Sequence, residues 1–192
     1  MKKIILFLIV FLATWAATGQ QASLSGTILR PDGTALVGIT VKLLDAQGQL
    51  VAAAGVDGNG QYQLSGIPTG QEYTVVPELA GPALYEVSTL DIVIGAQHIL
   101  GIIPLDSPLK LLAGDVNESE SLTTFDLINI RRLVLGVEID FPRNWLFLPS
   151  DVQFVSDSDP WLGFSGSDGT ILLEGDVTGF DFYAIKVGDL SW

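Results

Sequence analysis

The sequence predicts a mainly β chain with a small α part: an N-terminal β-sandwich, then a pair of loop-helix units, then a short β-rich C-terminal segment. Three observations carry this reading. Between residues 23 and 76, short apolar runs alternate with turn signals about every ten residues, the spacing of an antiparallel sandwich. Residues 80–142 hold an internal repeat at an offset of 35 residues, each copy reading as one loop and one helix. From residue 143 onward, apolar runs at 145–148, 152–155, 170–173 and 182–187 read as strands packed beside the helix pair.

Ahead of the sandwich, Met1-Lys2-Lys3 precedes an apolar run from Ile4 to Ala17 and the small residues Ala17-Thr18-Gly19, the pattern of a secretory signal peptide. The run is shorter than the roughly 20 residues a membrane span needs. Residues 1–19 are therefore expected to be removed, leaving about 170 residues that work outside the cell or on its outer surface, with no membrane insertion after cleavage. The removal takes two of the nine basic residues and none of the 22 acidic ones, so the net charge moves from −13 to −15. So acidic a chain is a poor partner for nucleic acid or an anionic membrane, both of which require a basic face. With no cysteine, disulfides, thiol catalysis and thiolate metal sites are excluded, and an exported chain must rely on burial or on bound metal.

In the sandwich segment, residues 20–79, Leu24 to Leu29 is followed by the turn Pro31-Asp32-Gly33, and Ile39 to Leu44 by Asp45-Ala46-Gln47-Gly48. Residues 50–54 lead into Asp57-Gly58-Asn59-Gly60, the alternating Gln61-Tyr62-Gln63-Leu64 into Ile67-Pro68-Thr69-Gly70, and Tyr73 to Val76 closes the set. Asp57 and Asn59 read as turn residues rather than cation ligands, because Asp-Gly and Asn-Gly are what a tight turn requires. The motifs Leu24-Ser25-Gly26-Thr27, Gly38 to Leu43, Asp57 to Tyr62 and Ile67 to Gly70 with Tyr73-Thr74-Val75 resemble the prealbumin-like repeat of carboxypeptidase regulatory-like and Cna-B-type domains. That resemblance implies a stalk or spacer. Some relatives carry a lysine-asparagine crosslink, but no asparagine follows Lys42 in the last strand.

In residues 80–142, Val87 to Val93 aligns with Leu122 to Ile128, and His98 to Ile102 with Leu133 to Val137. Asp115, Asn117, Ser119, Ser121, Thr123 and Asp126 stand at positions 1, 3, 5, 7, 9 and 12 of a twelve-residue loop, the spacing by which an EF-hand loop wraps oxygens around calcium. Asp115, Asn117 and Ser119 would donate side-chain oxygens and Ser121 its carbonyl; Thr123 would act through water, and Asp126 would close the shell. Position 6 is Glu120 where glycine is usual, and only two ligand positions are carboxylates, so affinity should be that of weak extracellular modules, about 10⁻⁴–10⁻³ M. The first copy has Ala80, Pro82 and Leu84 at positions 1, 3 and 5 and is expected to bind nothing, with Ser88 and Asp91 as helix caps.

Gly114-Asp115-Val116-Asn117 through Asp126-Leu127 and Leu135-Gly136 make this pair similar to a type I dockerin, in a divergent form that also carries Ser88 to Asp91, His98 to Gly101, Leu105 to Pro108 and Phe141-Pro142. The resemblance implies one calcium ion, with the loop of the first copy degenerate, and a cohesin-like or other extracellular protein partner, within a system for polysaccharide breakdown. It also implies the residues read by that partner: Thr124, Phe125, Arg131 and Arg132 in the second copy, Thr89 and Leu90 in the first.

The acidic segment 143–192 closes the dockerin-like region. Trp145 and Trp161 are candidates for a sugar platform, and Asp157, Asp159, Asp168 and Asp176 for catalytic acids; core tryptophans and turn aspartates explain both sets. His98 is the only histidine and lies in no nucleophile motif, so no enzyme is expected. Two functions remain: a non-catalytic adaptor docking through the helix pair, or a surface spacer or adhesin fragment with weak glycan binding.

Overall fold

A computed structural model of the chain describes residues 20–138, 140–166 and 169–192. The expected leader 1–19, together with Asp168, lies outside them. The described residues form two four-stranded sheets, one small two-stranded sheet and three α-helices. Strands β1 (Gln21–Leu29), β2 (Thr40–Asp45), β3 (Leu50–Gly55), β4 (Gln61–Pro68) and β5 (Gln71–Glu78) come first. Helices α1 (Thr89–Ile99), α2 (Pro108–Gly114) and α3 (Thr124–Val134) follow, then β6 (Trp145–Pro149), β7 (Gln153–Phe154), β8 (Phe164–Ser165), β9 (Thr170–Leu173) and β10 (Phe182–Lys186).

Turn chemistry sets the hairpins. Asp45 Oδ1 accepts the N–H groups of Gln47 and Gln49, and Asp57 Oδ1 those of Asn59 and Gln61, at 2.8–2.9 Å. Gly48 and Gly60 then supply positive φ. Asp57 and Asn59 are thus turn residues, and Lys42 is ion-paired with Glu78 across β2 and β5.

The C-terminal segment packs beside the helices, as expected, but its strands also belong to the sandwich. One sheet has the order β4-β1-β10-β6 and the other β3-β2-β5-β9, so β6, β9 and β10 complete the sandwich, and the helix pair is an insertion between its strands. Leu24, Ile28, Val41, Leu43, Leu64 and Tyr73 share one core with Trp145, Leu173, Phe182 and Ala184. Strand β10 is buried on both faces: Phe182 and Ala184 face the sandwich core, while Ile185 and Val187 pack with the helical residues Ala113, Ile130 and Leu133. A near-continuous apolar run is the signature of a strand covered twice. Gly26 allows the closure, because a Cβ there would stand 2.1 Å from the Phe180 carbonyl oxygen.

The helical insert has one helix more than expected. Ser107 caps α2 through the Leu109 N–H at 3.2 Å and Pro108 occupies its first turn, where a missing N–H is harmless. No helix among the described residues is long and apolar enough to cross a membrane.

Charged residues join sandwich and insert. Arg30, buried at the end of β1, donates to Glu86 and, at 3.0 Å, to Asp189 Oδ2. Lys186, 1% exposed, donates to the carbonyls of Val187 at 2.8 Å and Asn144 at 3.2 Å and lies within 6 Å of the Phe141 and Trp145 rings. Burial lowers its pKa from 10.5 to about 8, against the opposing pull of Asp189 and Glu86. Between pH 8 and 10.5 the unfolded chain keeps this proton and the folded chain has released it, so stability rises with pH across that window, by on the order of 2–3 kcal/mol. Urea unfolding of the protein and of Lys186→Met at pH 7.5 and 10.5 checks this. The wild type should gain on the variant at the higher pH, and an unchanged difference would refute the assignment.

Candidate functional site

Helices α1 and α3 repeat each other bond for bond at the 35-residue offset. Ser88 and Thr123 are the N-caps, accepting the N–H groups of Leu90 and Phe125 at 3.2 Å. Asp91 and Asp126 complete capping boxes, each Oδ2 accepting from the cap N–H at 2.7–2.8 Å and the cap hydroxyl at 3.0–3.1 Å. At the other ends Leu100 and Leu135 are C-caps, and Gly101 and Gly136 both take φ +68. Gly95 in α1 leaves room for Leu127 of α3, whose side chain would lie 2.6 Å from an added Cβ.

Between α2 and α3, the loop 115–126 folds back on its first carboxylate. Asp115 Oδ1 accepts the Ser119 N–H and Oδ2 the Glu120 N–H, both at 2.8 Å, while Asn117 Oδ1 accepts the Ser119 N–H at 3.1 Å. Glu118 and Glu120 adopt φ +58 and +60. The sharp turn usually given to glycine is therefore made by Glu120, at a local cost of about 1–2 kcal/mol. Ser119 Oγ lies 3.4 Å from Asp115 Oδ1, 3.4 Å from the Ser121 carbonyl oxygen and 3.3 Å from Ser121 Oγ. These spacings are long for O–H···O bonds, which centre near 2.8 Å. They equal the edge between two oxygens set at right angles about 2.4 Å from one cation.

The two capping aspartates differ in their second oxygen. Asp91 Oδ1 accepts the Leu190 main-chain N–H at 2.8 Å, and Leu190 is itself fully buried against the helices. Asp126 Oδ1 is buried with no hydrogen-bond partner. The Asn117 N–H points toward this carboxylate and pulls its pKa down without making a bond of normal geometry. Burial outweighs that pull and raises the Asp126 pKa, with the negative charge of Asp115 adding to the rise. An orphaned, desolvated carboxylate beside a second one fits a cation; the same position in the first copy is filled by a main-chain N–H.

Of the six candidate ligands, Asp115, Asn117, Ser119 and Ser121 belong to this folded loop, Thr123 is engaged as the α3 cap, and Asp126 closes the loop from the first helical turn. Among the described residues no group of three or more His, Cys, Asp or Glu side chains could hold a metal, so any ion here would take most of its oxygens from hydroxyl, amide and main-chain groups.

The candidate partner-reading residues lie on the helix surface. Thr89, Leu90, Thr124, Phe125, Arg131 and Arg132 are all exposed, and Arg132 is ion-paired with Glu138. Large apolar side chains are exposed at repeat-related positions: Leu90 with Phe125, Val93 with Ile128, Leu100 with Leu135, Ile102 with Val137. Sequence reasoning found the first of these pairs and missed the others, although the offset that aligns the copies also aligns them.

The remaining candidates resolve as local structure. His98 Nδ1 accepts the Leu105 N–H at 3.0 Å, a structural role. Asp176 accepts from the Ser23 N–H at 2.7 Å and hydroxyl at 2.9 Å, tying the segment before β10 to β1. Trp145 is in the core, which removes it as a sugar platform, whereas Trp161 is only partly buried.

These features define a β-sandwich module, five of whose strands precede a helical insert and three follow it. The family model described as the carboxypeptidase regulatory-like domain matches residues 23–102, covering β1 to β5 and running through α1. No curated protein matches the chain. Among solved structures, the Bacillus anthracis TIE protein is 19% identical over 31% of this chain, with a TM-score of 0.26. The match spans 12% of that protein's chain.

Proposed function

We propose that the protein is an exported, non-catalytic binding module whose loop 115–126 takes one calcium ion and whose paired helices dock onto an extracellular protein, a cohesin-like receptor of a polysaccharide-degrading assembly. The observation that carries this reading is the contrast between Asp91, whose Oδ1 is satisfied by Leu190, and Asp126, whose Oδ1 is buried without a partner beside Asp115. Asp115, Asn117, Ser119, the Ser121 carbonyl and Asp126 would hold the ion, with Thr123 acting through water. Bound calcium supplies the positive charge that two adjacent carboxylates need. The chain supplies the loop path, fixed by the Ser119 and Glu120 N–H groups on Asp115, and the orientation of α3, fixed by the Thr123 cap.

The repeat-related apolar residues on α1 and α3 and just after them support the docking face, since exposed Leu, Val, Ile and Phe are the side chains a protein partner would cover. Immobilised protein should recover a specific partner from the producing organism's secreted fraction in calcium and lose it in chelator. Asp115→Ala and Asp126→Ala should each abolish the recovery. A partner held equally by both variants would end the calcium-gated reading and leave a surface spacer.

A further inference from the structure

The metal loop shares a cleft of about 340 Å³ with the arm 153–163. Leu146 and Leu148 line it from β6, and as alternate residues of one strand they share a face, opposite the one that sends Trp145 into the sandwich core. Phe154 and Trp161 line it from the arm, and Asp115, Glu118, Glu120 and Arg143 supply its polar groups. The volume lies at the small end of small-molecule sites.

We infer that this cleft is a carbohydrate subsite for a neutral pyranose unit, with Trp161 as its stacking surface and the Glu118–Arg143 pair and Glu120 as its hydroxyl partners. Three features select that ligand class. A sugar ring has an apolar C–H face and a polar rim, and the lining divides in the same way. A hydroxyl both donates and accepts, and the cleft holds both kinds of group: Arg143 Nη2 and Glu118 Oε1 are 3.2 Å apart with each side chain about half exposed, so the guanidinium keeps free donors and the carboxylates free lone pairs. Charge disfavours the alternatives, since an anion meets three carboxylates and an organic cation meets Arg143 at the same mouth. Of the described tryptophans, Trp145 is buried in the core and Trp192 is engaged by Lys110, 5.1 Å from its ring centre, which leaves Trp161 for the task.

Of the proposed calcium ligands the cleft includes only Asp115, although Glu118 and Glu120 come from the same loop, and the inference stands apart from docking. Titration of the protein with cellotetraose, xylotetraose and mannotetraose, read by NMR at the Trp161 indole N–H, tests it. At least one oligosaccharide should shift that signal saturably. Trp161→Ala should weaken binding at least tenfold and Glu120→Gln about fivefold, whereas Leu172→Ala, an exposed site on β9 outside both the cleft and the loop, should leave it unchanged. If Trp161→Ala does not fold, Trp161→Phe replaces it, with partial retention expected. No shift with any of the three, binding undiminished by the Trp161 and Glu120 variants, or tighter response to butylamine or acetate would each overturn the proposal.

Discussion

Arg30→Ala is expected to lower the unfolding free energy by about 3–5 kcal/mol, because it strips a buried ion cluster of its only guanidinium. Arg30 and Asp189 are both almost fully buried, Glu86 is a third exposed, and the three come from the end of β1, the approach to α1 and the residues after β10. With Arg30 gone, Asp189 keeps its bonds to the Ser191 N–H and hydroxyl but loses its counter-charge, and Lys186 faces those carboxylates as the nearest cation. The cost should fall on sandwich and insert together, since the cluster spans both. Urea unfolding followed by tryptophan fluorescence and by far-UV circular dichroism should give one coincident transition, moved to lower urea. Combining Arg30→Ala with Asp189→Ala should cost less than the sum of the single changes. A loss below about 1 kcal/mol would show that the cluster does not couple the two parts.

Calcium is expected to raise the melting temperature through the proposed loop site. With a dissociation constant of about 10⁻⁴–10⁻³ M, a calcium concentration of about 10 mM stabilises the folded state by roughly 1.4–2.7 kcal/mol. For a chain of this size that is roughly 3–10 °C. Asp126→Asn should abolish the rise. It should leave the metal-free protein at least as stable as the wild type, because it keeps an oxygen for the Thr123 cap and removes a desolvated charge. Asp91→Asn is the matched control: it alters the same cap position in α1, where Leu190 takes the second oxygen, and should leave the calcium response intact. Differential scanning calorimetry with and without chelator separates the outcomes. An unchanged wild-type melting temperature would remove the metal from the functional account.

Much of this architecture was legible because it is local. Asp45 and Asp57 organise turns within four residues, and the Ser88–Asp91 and Thr123–Asp126 boxes sit inside one helical turn, so the repeat predicted both helices. The second loop was legible for the same reason, although Glu120 shows that a missing glycine raises the cost of a left-handed turn without forbidding it. What escaped is non-local. Nothing in the run 182–187 says that its partner is β1 in parallel, and nothing in Asp91 says that its second oxygen is met by a main-chain N–H 99 positions away. Helix α2 had its start signal in Ser107-Pro108, but seven residues are too few for an amphipathic period to emerge. Trp145 and Trp161 were equivalent on paper and were separated only by which sheet face each strand or turn presents.

The parallel pairing of β1 with β10 has a consequence for how the molecule is made. Thr27 meets Asp181 across 154 positions, so the sheet containing the first strand gains its central neighbour only after residues 182–186 have been synthesised. Long-range closure of this kind slows folding. A nascent chain therefore carries an open edge on β1 until β10 has emerged, and the two faces of the sandwich core cannot close on each other before then.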